Sequence, residues 1–322
     1  VYGQAAKQGV LAVMWESVRR LPQDLQLVRS LKLQWAYGVE QIVSRSKRQM
    51  QEAARFAALC ADAGCRLILL KGIGLSRYYP VPLQRECGDI DILLPEGFEI
   101  GNEIAKSHGM TISGLDYKHN HIYSNGIMFE NHRYLTSFKG KNDIRRLEKI
   151  LQNAIKEGNF APFGDAGFYA LSPTANALYI TYHSFFHFLI EGITLRHLLD
   201  WALFVKAEQD TIDWIRFYSI CDDLGFSRFA NTLNAIAADV WGISLANPGM
   251  SFDRCLLDRV LDDVLAQRRH VSGLPLYKRR PLLICNMLLS RWKYRQLYGR
   301  SFLGEMMRSV SGVLFDRSPE LE

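Results

Sequence analysis

The segment 88–94 reads Gly-Asp-Ile-Asp-Ile-Leu-Leu, and it limits the fold of this chain more than any other feature. Polar and apolar residues alternate along it, which is typical of a β-strand with one buried face, and Pro95 ends it. Residues two apart in a strand point to the same side, with Cα atoms roughly 6.6 Å apart. We therefore expect Asp89 and Asp91 to present two carboxylates on one face of a sheet, while the isoleucines anchor the other face.

Further strands are predicted on both sides of this segment. Residues 66–70, Arg-Leu-Ile-Leu-Leu, form an apolar run that is too short for an independent helix and indicates a buried strand. Asn125-Gly126 separates two β-prone runs, 119–124 and 127–135. This dipeptide favours a hairpin, because a type I′ turn needs positive φ at both of its central positions. The middle of the chain is thus predicted to be α+β, with at least four strands.

The sequence on either side of this region has the period of helices. Residues 10–63 are predicted to be helical, and so is the chain from about Asn142 onward, where Ser172-Pro173 provides an N-cap and a proline at the first helical position. A stretch with Gly, Pro and Asn at 158–167 indicates a boundary. We therefore predict three parts: N-terminal helices at 1–63, an α+β domain at 64–165 and a mainly α-helical domain at 166–322.

The composition is that of a globular protein, with 48% hydrophobic residues and a net charge of +6. This mild excess suits a protein that handles phosphates, but it does not indicate the strongly basic stripe of a nucleic-acid-binding protein. The six cysteines are scattered without regular spacing, which favours reduced thiols in the cytoplasm. No apolar run approaches the ~20 residues that span a bilayer, so we expect no transmembrane segment.

Two carboxylates that converge on one strand face can share divalent cations. Mg²⁺ prefers carboxylates together with substrate phosphates as ligands, and paired cations promote in-line displacement at phosphorus. A D-x-D pattern alone is a weak signal, because it more often represents two solvated carboxylates at a strand edge. The residues after the first predicted strand favour the metal-binding interpretation of Asp89 and Asp91.

Four residues between the two strands are candidates for binding phosphate. Lys71 supplies a compact positive charge, and Gly72 allows backbone N–H groups to approach an anion at a strand-to-helix turn. Ser76 could donate a hydrogen bond to a phosphate oxygen, and Arg85 could bind phosphate through two N–H groups. For Lys71 and Arg85, ordinary surface solvation is the alternative.

The segment 69–94, which contains Leu-Lys-Gly-x-x-Leu, Tyr-Pro, Arg and Asp-Ile-Asp-Ile-Leu-Leu, resembles the uncharacterised nucleotidyltransferase family. It is also similar to the AbiEii-type toxin nucleotidyltransferases, and both belong to the DNA polymerase β-like superfamily. The resemblance implies a nucleotidyltransferase-fold mixed sheet flanked by helices, with an additional helical domain. It makes residues 64–165 the catalytic domain and implies metal-dependent transfer from an NTP.

The resemblance also implies roles for individual residues. Asp89 and Asp91 would bind Mg²⁺ (or Mn²⁺), and Lys71, Gly72 and Ser76 would lie along the triphosphate. Where most superfamily members have a second small residue after the glycine, this chain has an isoleucine at position 73.

These enzymes usually carry a third carboxylate on a later strand, and Glu130 is the best candidate. The family has a V-E-V-H-W-like stretch that matches Glu130 and His132. A third carboxylate would bind the metal that activates the attacking hydroxyl, or it would take the hydroxyl proton. An exposed strand glutamate is the alternative for Glu130. His132 could contact one of the metal ligands without binding the metal itself, or it could be a structural histidine.

The resemblance extends over about residues 65–245 and includes an H-x-x-x-H pattern formed by His183 and His187. These histidines lie one helical turn apart, so they could bind a metal, pack within the helical domain or contact the nucleotide or its acceptor. No glutamate follows His183, so the pattern is not that of a zinc protease.

A basic stretch near the C-terminus admits two interpretations. It is either a solvated amphipathic helix or a surface for RNA or an anionic membrane. Its cations are Lys278, Arg279, Arg280, Arg291, Lys293 and Arg295.

The sequence thus favours an enzyme that transfers a nucleoside monophosphate from an NTP to a hydroxyl of a small molecule, a protein or an RNA. The AbiEii-like motif makes a toxin of a toxin–antitoxin pair one version of this hypothesis. The alternative from another class is a non-catalytic nucleotide-binding or regulatory module that keeps the fold, and Ile73 is the feature that favours it. A membrane-associated scaffold that uses the basic stretch is a third hypothesis.

Overall fold

The structure is a computed structural model that describes residues 1–114, 116–138, 141–245, 253–266 and 288–307, with positions 275, 277, 281, 282 and 285 between the last two ranges. The chain divides into two compact units. The first comprises Val1–Leu135 and Ala154–Ser172, and the second comprises Thr136–Asn153 and Pro173–Glu322.

A seven-stranded mixed sheet forms the centre of the first unit, in the order β3-β4-β5-β2-β1-β7-β6. Strands β2 and β5 pair in parallel, as do β1 and β7, and the other neighbours are antiparallel. The α+β fold class predicted from the sequence is therefore confirmed. The strands are β1 Leu67–Leu69, β2 Ile90–Leu93, β3 Thr111–Ser113, β4 His119–Ser124, β5 Ile127–His132, β6 Phe160–Phe163 and β7 Phe168–Leu171.

Five helices belong to the first unit: α1 Tyr2–Lys7, α2 Leu11–Val18, α3 Arg29–Asp62, α4 Ile73–Ser76 and α5 Phe98–Ser107. Helices α3 and α5 contribute to one hydrophobic core with one face of the central strands. Phe56 of α3 packs edge-on against Phe129 of β5, with ring centroids 5.4 Å apart. Ile90 and Ile92 lie in the same core. Because side chains alternate along a strand, the residues between them occupy the opposite face.

The turn between β4 and β5 fixes which residues of the two strands lie opposite each other. Asn125 and Gly126 have φ values of 50° and 74°, as the predicted type I′ turn requires. With a two-residue turn, the register follows directly: His121 pairs with Glu130 and His119 pairs with His132. The predicted hairpin is confirmed, and it determines which side chains meet on the polar face of the sheet.

Buried asparagines attach this hairpin to α5. Asn102 of α5 accepts hydrogen bonds from the Nδ2 atoms of Asn120 (2.7 Å) and Asn131 (3.1 Å). Asn131 also donates to the carbonyl of Phe98 at 3.0 Å. Each of these amides is buried, so its hydrogen bonds offset the cost of taking it out of water. The helix thereby holds β4 and β5 from the core side and leaves their other face to the polar site.

The second unit is built from helices with an aromatic core that includes Trp201 and Phe217, whose rings stack 6.0 Å apart. The Trp201 indole N–H donates to Asn234 at 2.8 Å. The helices are α6 Asn142–Lys156, of which residues up to Asn153 lie in this unit, then α7 Pro173–Ile190, α8 Leu195–Glu208, α9 Trp214–Leu224, α10 Ser227–Trp241 and α11 Arg254–Leu265, followed by helical turns at Arg291–Lys293 and Tyr294–Tyr298.

Two predictions about the C-terminal half are wrong. The chain is not helical throughout from Asn142 onward, because residues 160–171 contain β6 and β7, and the predicted boundary at 158–167 falls on β6 and the turn that follows it. Lys293 does not lie on a solvated face. It is buried, and its ammonium donates to Asp263 at 2.5 Å and to the carbonyl of Phe188 at 2.8 Å.

The structure describes only part of the basic stretch near the C-terminus. Arg291 and Arg295 are exposed, whereas positions 278–280 of the same basic stretch lie outside the described residues. All six cysteines are free. Within the described ranges, no helix combines the length and apolarity that crossing a membrane requires.

Gly74 allows α4 to pack against β1, which suggests a test of the fold. A Cβ at this position would lie 2.8 Å from the carbonyl oxygen of Leu69, so backbone would have to move. We expect Gly74→Ala to lower the free energy of unfolding by about 1–3 kcal/mol, as overpacking does, in chemical denaturation. The matched control is Gly3→Ala in α1, where a Cβ meets nothing within 4 Å. This control should be neutral or slightly stabilising, and equal losses in both variants would contradict the packing argument.

Candidate functional site

Three carboxylates converge on the sheet face that the helices α3 and α5 leave uncovered. Asp91 lies on β2 directly beside Glu130 of β5, because these two strands are parallel neighbours in register. Asp89 precedes β2 by one residue and points to the same side as Asp91. One carboxylate oxygen from each of the three residues lies within 4.8 Å of the other two. The predicted third carboxylate is therefore adjacent to the predicted pair.

Two cationic side chains hold the most buried of these carboxylates. Asp91 is 2% exposed, and its Oδ1 atom receives both the Lys71 ammonium at 3.0 Å and the His132 Nε2 atom at 2.9 Å. The His132 side chain is fully buried. Its other nitrogen, Nδ1, lies 3.2 Å from the carbonyl oxygen of Tyr134, to which it can donate a proton. Asp91 is thus fixed in orientation before any ligand binds.

The surroundings shift the pKa values of the three carboxyl groups in different directions. Burial alone would raise the pKa of Asp91, but the Lys71 ammonium and the hydrogen bond from His132 hold it well below its usual range. Burial would also raise the pKa of Glu130, but the hydrogen bond from His132 outweighs it and lowers the pKa to about 2. Burial and the neighbouring charge of Asp91 raise the pKa of Asp89 to about 6.

The cations of the site are shifted in the complementary direction. Burial would lower the pKa of Lys71, but the carboxylates of Asp91 and Asp89 outweigh it, so that the pKa is raised. The pKa of His132 is also raised, because the hydrogen bonds with Asp91 and Glu130 outweigh its burial. Lys71 and His132 thus stabilise the ionised form of Asp91, whereas the pKa of the neighbouring Asp89 is raised.

This donor set fits a hard divalent cation. Carboxylate oxygens are the ligands that Mg²⁺ and Mn²⁺ prefer in proteins. A cation near Asp89 would replace the proton that crowding favours there, and it would relieve the repulsion between Asp89, Asp91 and Glu130. The residues that could hold the cation are these three carboxylates.

Gly72 brings the main chain against the carboxylates. Its φ of 58° and ψ of −119° form a conformation that side-chain-bearing residues rarely adopt. A Cβ there would lie 3.0 Å from the Cys87 sulfur and 3.8 Å from Asp91 Oδ2. The glycine is therefore favoured by its backbone conformation and by the close approach of the Cys87 sulfur, whereas Asp91 lies at an ordinary contact distance. Lys71 and Gly72 are the two predicted phosphate-binding residues that the structure places at the carboxylates.

The other two predicted phosphate-binding residues are engaged within their own segments. Ser76 is buried, and its hydroxyl donates to the carbonyl oxygen of Ile73 at 2.7 Å. Arg85 is also buried, and its Nη1 atom donates to the carbonyl oxygen of Glu86 at 3.2 Å. Their contact with a nucleotide stays a prediction from the resemblance.

The histidines of the helical half lie in the other unit. His183 and His187 are on α7, with ring centroids 4.4 Å apart. Nδ1 of His187 lies 3.4 Å from a carboxylate oxygen of Glu191, one turn further along. Among the residues that the structure describes, they belong to no cluster of three metal-ligating groups. Their accessory role also stays a prediction.

The sequence analysis missed two histidines of the site. His119 and His121 lie on the same face of β4, with their Nε2 atoms 3.7 Å and 3.9 Å from Glu130 Oε1. A signal was present, because the Asn-Gly turn fixes the hairpin register and places this His-x-His opposite Glu-x-His. Gln49 of α3 was also missed. It donates to the carbonyl of Gly88 at 2.8 Å and so steadies the loop that leads to Asp89.

Comparison with known proteins gives one match. The family described as "Uncharacterised nucleotidyltransferase" matches residues 1–242, which include the whole carboxylate site. No curated protein and no solved structure matches the chain.

The raised pKa of Asp89 predicts a stability effect with a defined sign. Between pH 4 and pH 6 the unfolded chain loses the Asp89 proton before the folded chain does, so this group lowers stability as pH rises through that window. Asp89→Asn removes the effect and can still donate a hydrogen bond to Glu130. In EDTA at pH 7.5 we expect its free energy of unfolding to exceed that of the wild type by about 1–3 kcal/mol, with the difference fading toward pH 4.

The control for this measurement is Glu103→Gln, which changes an exposed carboxylate on α5. It should show no such pH-dependent difference. An Asp89→Asn variant that is less stable than the wild type at pH 7.5 would contradict the charge crowding at the three carboxylates.

Proposed function

The chain belongs to the uncharacterised nucleotidyltransferase family, and we propose that it is an enzyme that moves a nucleoside monophosphate from an NTP to a hydroxyl of an acceptor. The observation that carries the proposal is the convergence of Asp89, Asp91 and Glu130 on one face of the sheet. Clustering three carboxylates lowers the stability of the folded chain, as the raised pKa of Asp89 indicates. A site that binds cations and phosphates accounts for that cost.

Mg²⁺ or Mn²⁺ would be held by Asp89, Asp91 and Glu130. When bound, such a cation supplies positive charge to the phosphate oxygens and to the oxygens that attack and leave. Lys71 and His132 keep the Asp91 carboxylate ionised and fixed in direction. The protein thus contributes positioning and charge, which is what phosphoryl transfer chiefly requires.

The proposed reaction forms one bond at phosphorus and breaks another. The acceptor hydroxyl oxygen bonds to the α-phosphorus, the bond from that phosphorus to the bridging oxygen breaks, and pyrophosphate leaves with the bond electrons. The hydroxyl proton must pass to a carboxylate or to water. Glu130 has a pKa of about 2, so it is a weak base. This favours the role of cation ligand for Glu130 over the role of proton acceptor.

Lys71 and Gly72 are the residues proposed to meet the triphosphate. The Lys71 ammonium lies at Asp91, and its side chain remains 21% exposed, so a phosphate oxygen could share it. Gly72 leaves room for an anion to approach its backbone N–H group. A compact ammonium can serve a carboxylate and a phosphate at once, because it has three donors.

The alternative is a nucleotide-binding or regulatory module that keeps the fold without catalysis. The isoleucine that follows Gly72 was the feature that favoured it. Gly74 supplies the small residue that close packing against Leu69 needs, so Ile73 does not distort this turn. The position of Glu130 beside Asp91 also favours the enzyme, since a module without catalysis has no need of the third carboxylate.

The acceptor can be a small molecule, a protein or an RNA. The similarity to AbiEii-type toxins keeps RNA and a toxin role among these hypotheses. The chemistry at the carboxylates is the same for all three classes, so the labelled product identifies the acceptor.

Removing one carboxylate should abolish transfer while leaving the fold intact. We expect Asp89→Asn and Glu130→Gln each to lower the rate by at least ~10²-fold, because charge neutralisation at the phosphates is lost. The assay incubates the protein with Mg²⁺ and each α-³²P-labelled NTP, alone and with cell extract. Label transferred by the wild type and by the exposed-site control Glu103→Gln, but not by the two variants, is the expected result. Full activity of either site variant would refute the assignment.

Lys71 should affect both nucleotide use and stability, because its ammonium also pairs with the buried carboxylate of Asp91. We expect Lys71→Gln to lower kcat/KM for the NTP by roughly 10- to 100-fold, the value of a hydrogen bond to a charged group. Lys106→Gln, an exposed lysine on α5, is the matched control. Steady-state kinetics measure the effect, and thermal unfolding identifies any loss of folded protein. A kcat/KM that is unchanged in Lys71→Gln would remove Lys71 from the phosphate site.

A further inference from the structure

A second set of metal-binding side chains lies on the β4–β5 hairpin, beside the carboxylates. His119 and His121 are on β4, and Glu130 and His132 are on β5. Directly opposed residues of an antiparallel pair have side chains about 5 Å apart, and these four form two opposed pairs on one face. In the proposed transfer, Glu130 is a cation ligand and His132 acts only by holding Asp91 in position. It gives no role to the other two histidines.

The distances suit a single ion. His132 Nε2 lies 3.4 Å from Glu130 Oε2, and His119 Nε2 lies 3.7 Å from Glu130 Oε1. One ligand atom from each of His119, Glu130 and His132 lies within 4.8 Å of the other two. Ligands of one ion at about 2.1 Å are separated by up to about 4.2 Å, so small side-chain movements close this set around a cation.

The hydrogen bonding of His132 also suits metal binding. Metal-bound histidines almost always donate their second ring N–H to a carbonyl or carboxylate. Nδ1 of His132 faces the carbonyl of Tyr134 at 3.2 Å, which directs the Nε2 lone pair of the neutral ring into the cluster. Nδ1 of His119 is buried and has no hydrogen-bond partner among the described residues. The polar contact of the His119 ring is therefore on the side of Glu130.

We propose that His119, Glu130 and His132 bind a divalent transition-metal ion of the Zn²⁺ class, with His121 at the rim of the same site. Two imidazoles and one carboxylate are a ligand set that suits Zn²⁺ and its neighbours in the first transition row. Mg²⁺ prefers oxygen ligands, so this site is chemically distinct from the Asp89–Asp91 pair.

The two sites are linked through shared side chains. Nε2 of His132 either donates a proton to Asp91 or binds a metal ion, because the nitrogen has one lone pair. Occupation of the histidine site therefore releases Asp91 Oδ1 from one of its two partners. Binding energies are linked reciprocally, so a Zn²⁺-class ion changes the affinity of the carboxylates for Mg²⁺, and Mg²⁺ changes the affinity for that ion by the same factor.

The test measures ion binding by the full-length apoprotein without any nucleotide. Co²⁺ is the probe, because its visible absorption changes when imidazole replaces water. Wild type should bind one Co²⁺ with this spectral change, stoichiometric Zn²⁺ should displace it, and Mg²⁺ at the same concentration should not. His119→Gln removes one of the three proposed ligands and should weaken Co²⁺ binding by at least ~10-fold. His108→Gln, an exposed histidine after α5, is the matched control and should bind Co²⁺ like the wild type.

A second variant separates this site from the proposed reaction. Asp89→Asn should keep the Co²⁺ spectrum, since Asp89 belongs only to the carboxylate set. Equal Co²⁺ affinities of wild type and His119→Gln, or displacement of Co²⁺ by Mg²⁺ at the concentration at which Zn²⁺ displaces it, would overturn the proposal, whatever the protein does with an NTP. A His119-dependent Co²⁺ spectrum in a protein that transfers no nucleotide supports this site and counts against the proposed function alone.

Discussion

The buried carboxylate of Asp91 determines most of the site. Taking a carboxylate out of water costs several kcal/mol unless charged partners offset it. Here two partners do so on one oxygen, Lys71 from the end of β1 and His132 from β5. These contacts join three strands of the sheet at one atom. They leave the second oxygen of Asp91 on the side of Gly72, whose positive φ favours glycine.

The negative charge of the three carboxylates is only partly neutralised, and this remaining charge is what favours cation binding. Three carboxylates face one lysine and one histidine, so burial and the remaining repulsion from Asp91 raise the pKa of Asp89 to about 6. A site arranged for stability alone would not place Asp89 beside Asp91 and Glu130. The site is therefore poised to gain free energy when a cation binds. Stability given up at functional positions is a common feature of active sites.

The part of this arrangement that depends on local rules could be predicted from the sequence. Alternation in 88–94 identified β2 and the shared face of Asp89 and Asp91, and the Asn-Gly turn identified the β4–β5 hairpin. Because that turn also fixes the register, the histidines of β4 were predictable in principle. The pairing of β2 with β5 was not, since parallel neighbours are separated by a long connection and nothing local specifies their register.

Other errors arose where tertiary structure outweighs local pattern. Strands β6 and β7 are short and flanked by helices, so their apolar residues could not be distinguished from a helical stretch. Both interpretations of the basic stretch placed Lys293 at the surface, yet Asp263 and a backbone carbonyl satisfy it inside the second unit. The hydroxyl of Ser76, whose contact with a phosphate stays a prediction, donates to the backbone of its own helix.

The central claim is that Asp89, Asp91 and Glu130 together hold the cation that a nucleotide needs. The most direct measurement is anomalous diffraction from crystals grown with Mn²⁺ and an NTP analogue that cannot be cleaved at the α-phosphorus. We expect a manganese peak within bonding distance of Asp89 and Asp91, with the triphosphate beside Lys71 and Gly72. A nucleotide bound elsewhere, or a saturated crystal with no manganese at these carboxylates, would contradict the claim.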